Sequence, residues 1–203
     1  MYTPPLFRED RLDILHAAIR QAGLATLVTQ GTDGLIASHV PVLLDPEPAP
    51  NGTLVGHLAR PNPQAKGAVG EALVIFHGPD AYITPSWYAT KRDGGKVVPT
   101  WNYVAIHAYG VPEFFDDAAR LREVVTRLTE RHETPRAEPW AVTDAPADFI
   151  DGMLRGIVGF SIPIARIEGK WKMSQNRPAA DRAGVAEGLL ADGEAEVAAL
   201  IPR

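Results

Sequence analysis

Leu24-Ala25-Thr26-Leu27-Val28-Thr29-Gln30-Gly31-Thr32-Asp33-Gly34-Leu35-Ile36-Ala37-Ser38-His39-Val40-Pro41-Val42-Leu43-Leu44 is the stretch that decides the fold class. Two runs rich in β-branched and aliphatic residues flank a short polar segment with glycine at each end, the composition of strand, tight turn and strand. The prolines at 46, 48 and 50 cannot continue a ladder, so 45–52 reads as a connecting loop and 53–58 as the next hairpin partner. Further strands are expected at 72–76, 81–85, 102–109 and 158–172, each rich in β-branched or aromatic residues and bounded by Gly or Pro. Upstream, Leu12, Leu15 and Ile19 with Ala18 and Ala22 fall at helical spacing between a capping Asp10 and a terminating Gly23.

Helices are expected between the late strands and at the end of the chain. Leu121, Val124, Val125 and Leu128 make an apolar stripe over 117–131, a shorter helix follows at 147–154, and the Ala-, Glu- and Leu-rich tail suits a terminal helix that Gly184, Gly188 and Gly193 weaken. The expectation is one domain over 1–203, mainly β with peripheral helices, with an inserted helical pair at about 117–154 and a helical tail at about 179–203. Strands that do not alternate with helices point to a β-barrel and away from a parallel α/β sheet.

Composition narrows the chemistry. With 45% hydrophobic and 22% charged residues the chain is of the globular class, and no apolar run approaches a membrane span. The N-terminal residues lack the basic and apolar regions of a signal peptide, so a cytoplasmic location with no membrane partner is expected. There is no cysteine, which excludes disulfides, thiol redox chemistry and thiolate metal sites. Twenty-five acidic against 20 basic residues give a net charge of -5, a poor balance for gripping nucleic acid. The six histidines show no metal-ligand spacing, no GxGxxG or P-loop is present, and no nucleophile elbow surrounds Ser86 or Ser161.

Two features point to a ligand. Arg60-Pro61-Asn62-Pro63-Gln64-Ala65-Lys66 has the grammar of a helix start, with Asn62 as cap and Pro63 in the first turn, a setting that suits an anion. Ser38-His39-Val40-Pro41, Trp101-Asn102-Tyr103 and Trp171-Lys172-Met173-Ser174-Gln175-Asn176-Arg177 place hydrogen-bonding side chains beside aromatics where strand interiors should be apolar, as a planar heterocycle requires.

The segments 56–64 (Gly-His-Leu-Ala-Arg-Pro-Asn-Pro-Gln), 76–88 (Phe-His-Gly-Pro-Asp-Ala-Tyr-Ile-Thr-Pro-Ser-Trp-Tyr), 98–103 (Val-Pro-Thr-Trp-Asn-Tyr) and 172–177 (Lys-Met-Ser-Gln-Asn-Arg) resemble, in order, the hallmark blocks of PaiB-type negative transcriptional regulators. The resemblance implies an FMN-binding split β-barrel similar to pyridoxamine-phosphate oxidase, a homodimer with flavin in a cleft between subunits. It implies Arg60, Asn62 and Lys66 near the phosphate, in a block that includes His57, Ala59 and Gln64. It sets Ser38 and His39 at the edge of the ribityl chain or ring, and Trp101, Asn102, Gln175 and Asn176 on a second wall, with Lys172 a further cation. The regulatory role stands beside two alternatives, an FMN-dependent oxidoreductase of unknown substrate and a haem protein using His39, His57 or His107. DNA contact, if any, is expected to be weak or indirect, because the acidic second helix makes a poor recognition helix.

Overall fold

A computed structural model of the protein describes residues 1–202. The chain order is β1 (Arg8–Glu9), α1 (Leu12–Gln21), β2 (Ala25–Gly31), β3 (Gly34–Val40), β4 (Val42–Asp45), β5 (Thr53–Ala59), α2 (Gln64–Gly67), β6 (Val69–Ile83), β7 (Thr100–Gly110), β8 (Glu113–Phe115), α3 (Ala118–Glu133), α4 (Ala147–Arg155), β9 (Ile157–Pro163), β10 (Arg166–Lys172), α5 (Ala179–Ala191) and α6 (Ala195–Ala199). Contacts divide the chain into two compact units, one of residues 16–76 and 107–167, the other of 1–15, 77–106 and 168 onward.

In the first unit the hairpin β2–β3 turns through Thr32 and Asp33, and β2 pairs on its other side with the first half of β6. A second antiparallel sheet has the order β4-β5-β9-β8, with β5 and β9 in register from Thr53↔Pro163 to Ala59↔Ile157. Leu43 and Val55 of this sheet pack against Val124 and Leu128 of α3, while Leu121 packs with Val142, Ile150 and Leu154. These α3 residues recur at helical spacing, and Asp117 caps the helix by accepting from the Arg120 amide at 2.8 Å. At its other end Arg131 donates to the carbonyls of Val42, Arg20 and Ala22, which fixes the helix to the chain leaving α1.

In the second unit the strand order is β1-β10-β7-β6. Val185 and Leu189 of α5 and Val197 and Ala198 of α6 bury against Ala81, Ile83, Tyr88, Val104 and Met173. Gly184 and Gly188 lie one turn apart and receive Trp87: a Cβ at 184 would come within 2.1 Å of the Trp87 carbonyl, and one at 188 within 2.2 Å of its ring. Asp181, fully buried, accepts from the amide and hydroxyl of Thr90 at 2.9 and 2.7 Å and so fastens the segment after Trp87 to α5.

Several expected boundaries move. The run 35–44 is not one strand: Pro41 has no amide proton to donate, and the chain passes there from β3 to β4 in a different sheet. Conversely, 72–76 and 81–85 join in the single strand β6, which stays extended through Gly78-Pro79-Asp80, where Gly78 fits against Val104 with no room for a Cβ (2.8 Å). The run 158–172 is not one strand either: it divides into β9, in the sheet with β5 and β8, and β10, in the sheet with β1 and β7, and the short β8 and β1 were not foreseen. The aromatics Trp87, Tyr88, Trp101 and Tyr103 of the two neighbouring segments do not make one exposed face, because Tyr88 is buried and Trp87 fills the glycine slot, leaving Trp101 as the exposed member.

Candidate functional site

The residues singled out in the sequence fall into two sets, one in each unit. In the first unit the centre is Gln64, which is wholly buried. Its carboxamide nitrogen reaches the Leu27 carbonyl (3.2 Å), the Thr29 hydroxyl (3.0 Å) and the Ile36 carbonyl (3.1 Å), and its oxygen accepts from the Ser38 hydroxyl at 2.5 Å. Ser38 in turn accepts from the Asn62 amide at 2.9 Å, and the Asn62 side-chain oxygen accepts from the Gln64 backbone amide at 3.0 Å. Asn62 thus holds the first amide of α2 from one residue before the Pro63 cap position, but α2 is a single turn, and Ser38, Asn62 and Gln64 direct their polar atoms at one another and at the β2–β3 backbone. Arg60 is engaged as well: Nε donates to the Arg155 carbonyl at 2.7 Å, Nη2 to the Ile157 carbonyl at 3.0 Å, and Asp116 lies 3.9 Å away. Ala59, Lys66 and His39 are exposed, with His39 Nδ1 3.1 Å from the Thr26 hydroxyl.

His57 stands apart from that network. It shares the face of β5 that carries Val55 toward α3, its Nδ1 is sealed without a partner, and burial pushes its imidazole below the ordinary histidine range.

In the second unit the chain brings together what the sequence grouped. Asn102 is fully buried and donates to the Ser174 hydroxyl at 3.0 Å. Gln175 closes the turn after β10, accepting from the Met173 amide at 2.7 Å and donating to the Trp171 carbonyl at 2.5 Å. That turn holds Ser174 at φ 60°, a left-handed conformation uncommon for a residue other than glycine and a mark of a constrained site. Asn176 is exposed beside it, and the Trp101 indole, 54% exposed, meets Tyr82 edge-on at 6.0 Å.

Lys172 is the charged member of this set. Its ammonium donates to the Thr100 hydroxyl at 2.5 Å and to the Trp101 carbonyl, so one of its three protons is uncommitted. Burial, and then the positive charges of Lys170 and Arg177, push it below the ordinary lysine range. Lys170 is buried beneath the rings of Tyr2 and Tyr103, and Arg177 lies 4.4 Å from the centre of the Tyr88 ring. None of the three has a carboxylate within ion-pair distance among the described residues. Lys170 and Arg177 were missed in the sequence as partners of Lys172: Lys170 carried a signal, standing two residues earlier on β10, whereas Arg177 is brought back only by the turn at Ser174.

Three neighbouring cations, with no carboxylate in ion-pair distance among the described residues, beside an accessible indole form a setting that suits an anion joined to an apolar or aromatic part. Among the described residues no cluster of His, Asp or Glu could hold a metal ion, and no helix is long and apolar enough to cross a membrane.

The family described as "Putative FMN-binding domain" matches residues 1–166, and the chain belongs to it. It is 33% identical to the protease synthase and sporulation protein PAI 2 of Bacillus subtilis, over 93% of this chain and 89% of that one. An uncharacterized protein of Emericella nidulans is 36% identical over 93% of this chain and 90% of its own. Among solved structures, a conserved hypothetical protein of Mycobacterium tuberculosis superposes with a TM-score of 0.61 at 14% identity, covering 88% of this chain and 94% of that one. The fold is the mainly antiparallel one of the flavin-binding split barrels, and the cofactor that the family defines is FMN.

Proposed function

We propose that this protein is an FMN-holding cytoplasmic regulator of the PaiB type, working as a homodimer and acting through its flavin state and not by reading DNA itself. The likeness to PAI 2, whose name links it to protease synthesis and sporulation, supports the regulatory part. The spent charge of the helices supports the indirect part: Arg122 pairs with Asp151 at 2.5 Å, Arg127 with Asp45 and Glu123, and Arg131 with three carbonyls, which leaves these cations unavailable for phosphates.

The observation that carries the cofactor assignment is the uncompensated charge at Lys172. Lys172, with Lys170 and Arg177 behind it, would take the FMN phosphate, and Trp101 would lie against an apolar part of the cofactor. Bound FMN supplies hydride and single-electron chemistry, while the chain supplies binding and orientation. Asn102, Ser174 and Gln175 fix the backbone on which Lys172 stands.

A charged hydrogen bond in a partly desolvated site contributes roughly 1.5–3 kcal/mol, so Lys172→Gln should weaken FMN by about ten- to a hundredfold and leave riboflavin, which lacks the phosphate, unchanged. The effect should depend on pH. Lys172 is charged below its lowered pKa, so the advantage of FMN over riboflavin is full on the acid side of that pKa. It should fade as pH rises through a value below the 10.5 of an ordinary lysine. Titrations of flavin fluorescence in both proteins measure this. Equal losses of FMN and riboflavin, or none, would remove Lys172 from the phosphate site.

A further inference from the structure

In the first unit, Pro41, His57 of β5, one face of α3 and Trp140 line a solvent-open cavity of about 310 Å³ that the flavin assignment does not use. Pro41, Val125 and Leu128 form apolar walls, Trp140 offers an indole, and His57, Thr129, His132 and Glu133 supply polar groups, with His132 at the exposed rim. The size is at the small end of ligand pockets, and apolar walls with a few placed polar groups are their usual chemistry. Glu133 is already committed: it accepts from the Trp140 backbone amide at 3.0 Å and pairs with Arg136 at 3.1 Å, so it holds the tryptophan segment in place.

His57 is the lining residue with a sealed and unpartnered ring atom. Its Nδ1 is sealed from solvent and has no partner, whereas Nε2 is neither sealed nor hydrogen-bonded. A buried N–H without an acceptor is the rarer and costlier defect, so the proton belongs on Nε2, and desolvation keeps the ring neutral. Besides Thr129 and the rim residue His132, the cavity thus contains a neutral ring with one N–H donor to offer, an aromatic plane and apolar walls that disfavour a desolvated charge.

We propose that this cavity is a binding site for a small uncharged aromatic molecule carrying a carbonyl acceptor, the class of the aromatic amides. Trp140 stacks on its ring and His57 Nε2–H donates to its carbonyl. The site shares no residue with the flavin assignment, since every residue in it belongs to the first unit and Lys172 and Trp101 belong to the second.

The test uses the FMN-loaded protein labelled with nitrogen-15, with benzamide, toluene and benzoate as probes. Benzamide should shift the Trp140 indole signal saturably, with Kd near about 1 mM. Toluene, without the acceptor, and benzoate, with its charge, should each bind about three- to tenfold more weakly. His57→Phe should weaken benzamide by about the same three- to tenfold and leave toluene unaffected. Should that variant fail to fold, the ring nitrogens of His57 in the parent protein must move when benzamide is added. No saturable shift at Trp140, a shift confined to Trp101, equal loss of benzamide and toluene in His57→Phe, or unmoved His57 nitrogens would each overturn the proposal.

Discussion

The Gln64 carboxamide reaches two strand carbonyls and two hydroxyls from a position with no solvent exposure. In the sequence it stood among candidate cofactor residues, because a polar residue after a capped proline turn suits a ligand as well as it suits a brace. Polarity marks that a side chain needs partners, and only the fold decides whether they are backbone carbonyls or a phosphate. Arg60 shows the same ambiguity, satisfied here by the carbonyls of Arg155 and Ile157, 95 and 97 residues away in sequence. The charge of Lys172 was legible, but the absence of a carboxylate near it among the described residues was not, since that depends on where the acidic residues end up. The brace makes a definite expectation. Gln64→Leu keeps the volume roughly and strands the Leu27 and Ile36 carbonyls, each at about 1–3 kcal/mol for a buried unsatisfied group. Urea unfolding should therefore show a loss of at least about 2 kcal/mol. A loss under half of that would mean that water replaces the carboxamide.

At the scale of elements, periodicity located the long helices well: α3 at Ala118–Glu133 against an expected 117–131, and α4 at Ala147–Arg155 against 147–154. Strands were harder where one signal carried two meanings. Gly78-Pro79 looks like a break yet sits inside β6, since glycine there answers a close approach to Val104 and not a turn. The glycines of α5 invert the usual reading in the same way. Gly184 and Gly188 look like weak points in a helix, but they admit Trp87, and the tail depends on that slot for its burial. Replacing an open helical glycine by alanine gains about 0.5–1 kcal/mol. Gly152 on α4, whose Cβ would meet only the Arg155 guanidinium at an ordinary 3.6 Å, should behave that way. Gly184→Ala should instead lose about 1–3 kcal/mol, because the Trp87 carbonyl is backbone and cannot rotate aside. Thermal melts of the two variants should move in opposite directions, and a rise in Tm for Gly184→Ala would show that Trp87 is not held in the slot.

For the whole molecule, the outer face of the β2–β3 hairpin and the adjoining half of β6 bears on assembly. The registers set Ile75, Thr26 and His39 in one row, Leu73, Val28 and Ala37 in the next, and Val69, Gln30 and Leu35 in a third. Residues opposite one another in antiparallel strands share a face, so these nine form one patch, six of them aliphatic. Leu35 is 75% exposed and Val69 62%, and a contiguous apolar patch of this kind on a sheet is a surface that proteins cover. A second copy of the chain is the covering the proposed homodimer supplies, since the same patch on two subunits is self-complementary about a two-fold axis. Light scattering should then give twice the 21.9 kDa of the chain at micromolar concentration. Leu35→Asp adds a charge at an exposed position, so it should leave the fold intact and bring two like charges together across the interface. The variant should scatter as a monomer with an unchanged circular dichroism spectrum. A monomeric parent would remove the homodimer from the proposal. A parent that dimerises and a Leu35→Asp that dimerises equally well would instead move the interface off this sheet face, leaving the accessible Trp101 and Tyr82 of the second unit as the surface to mutate next.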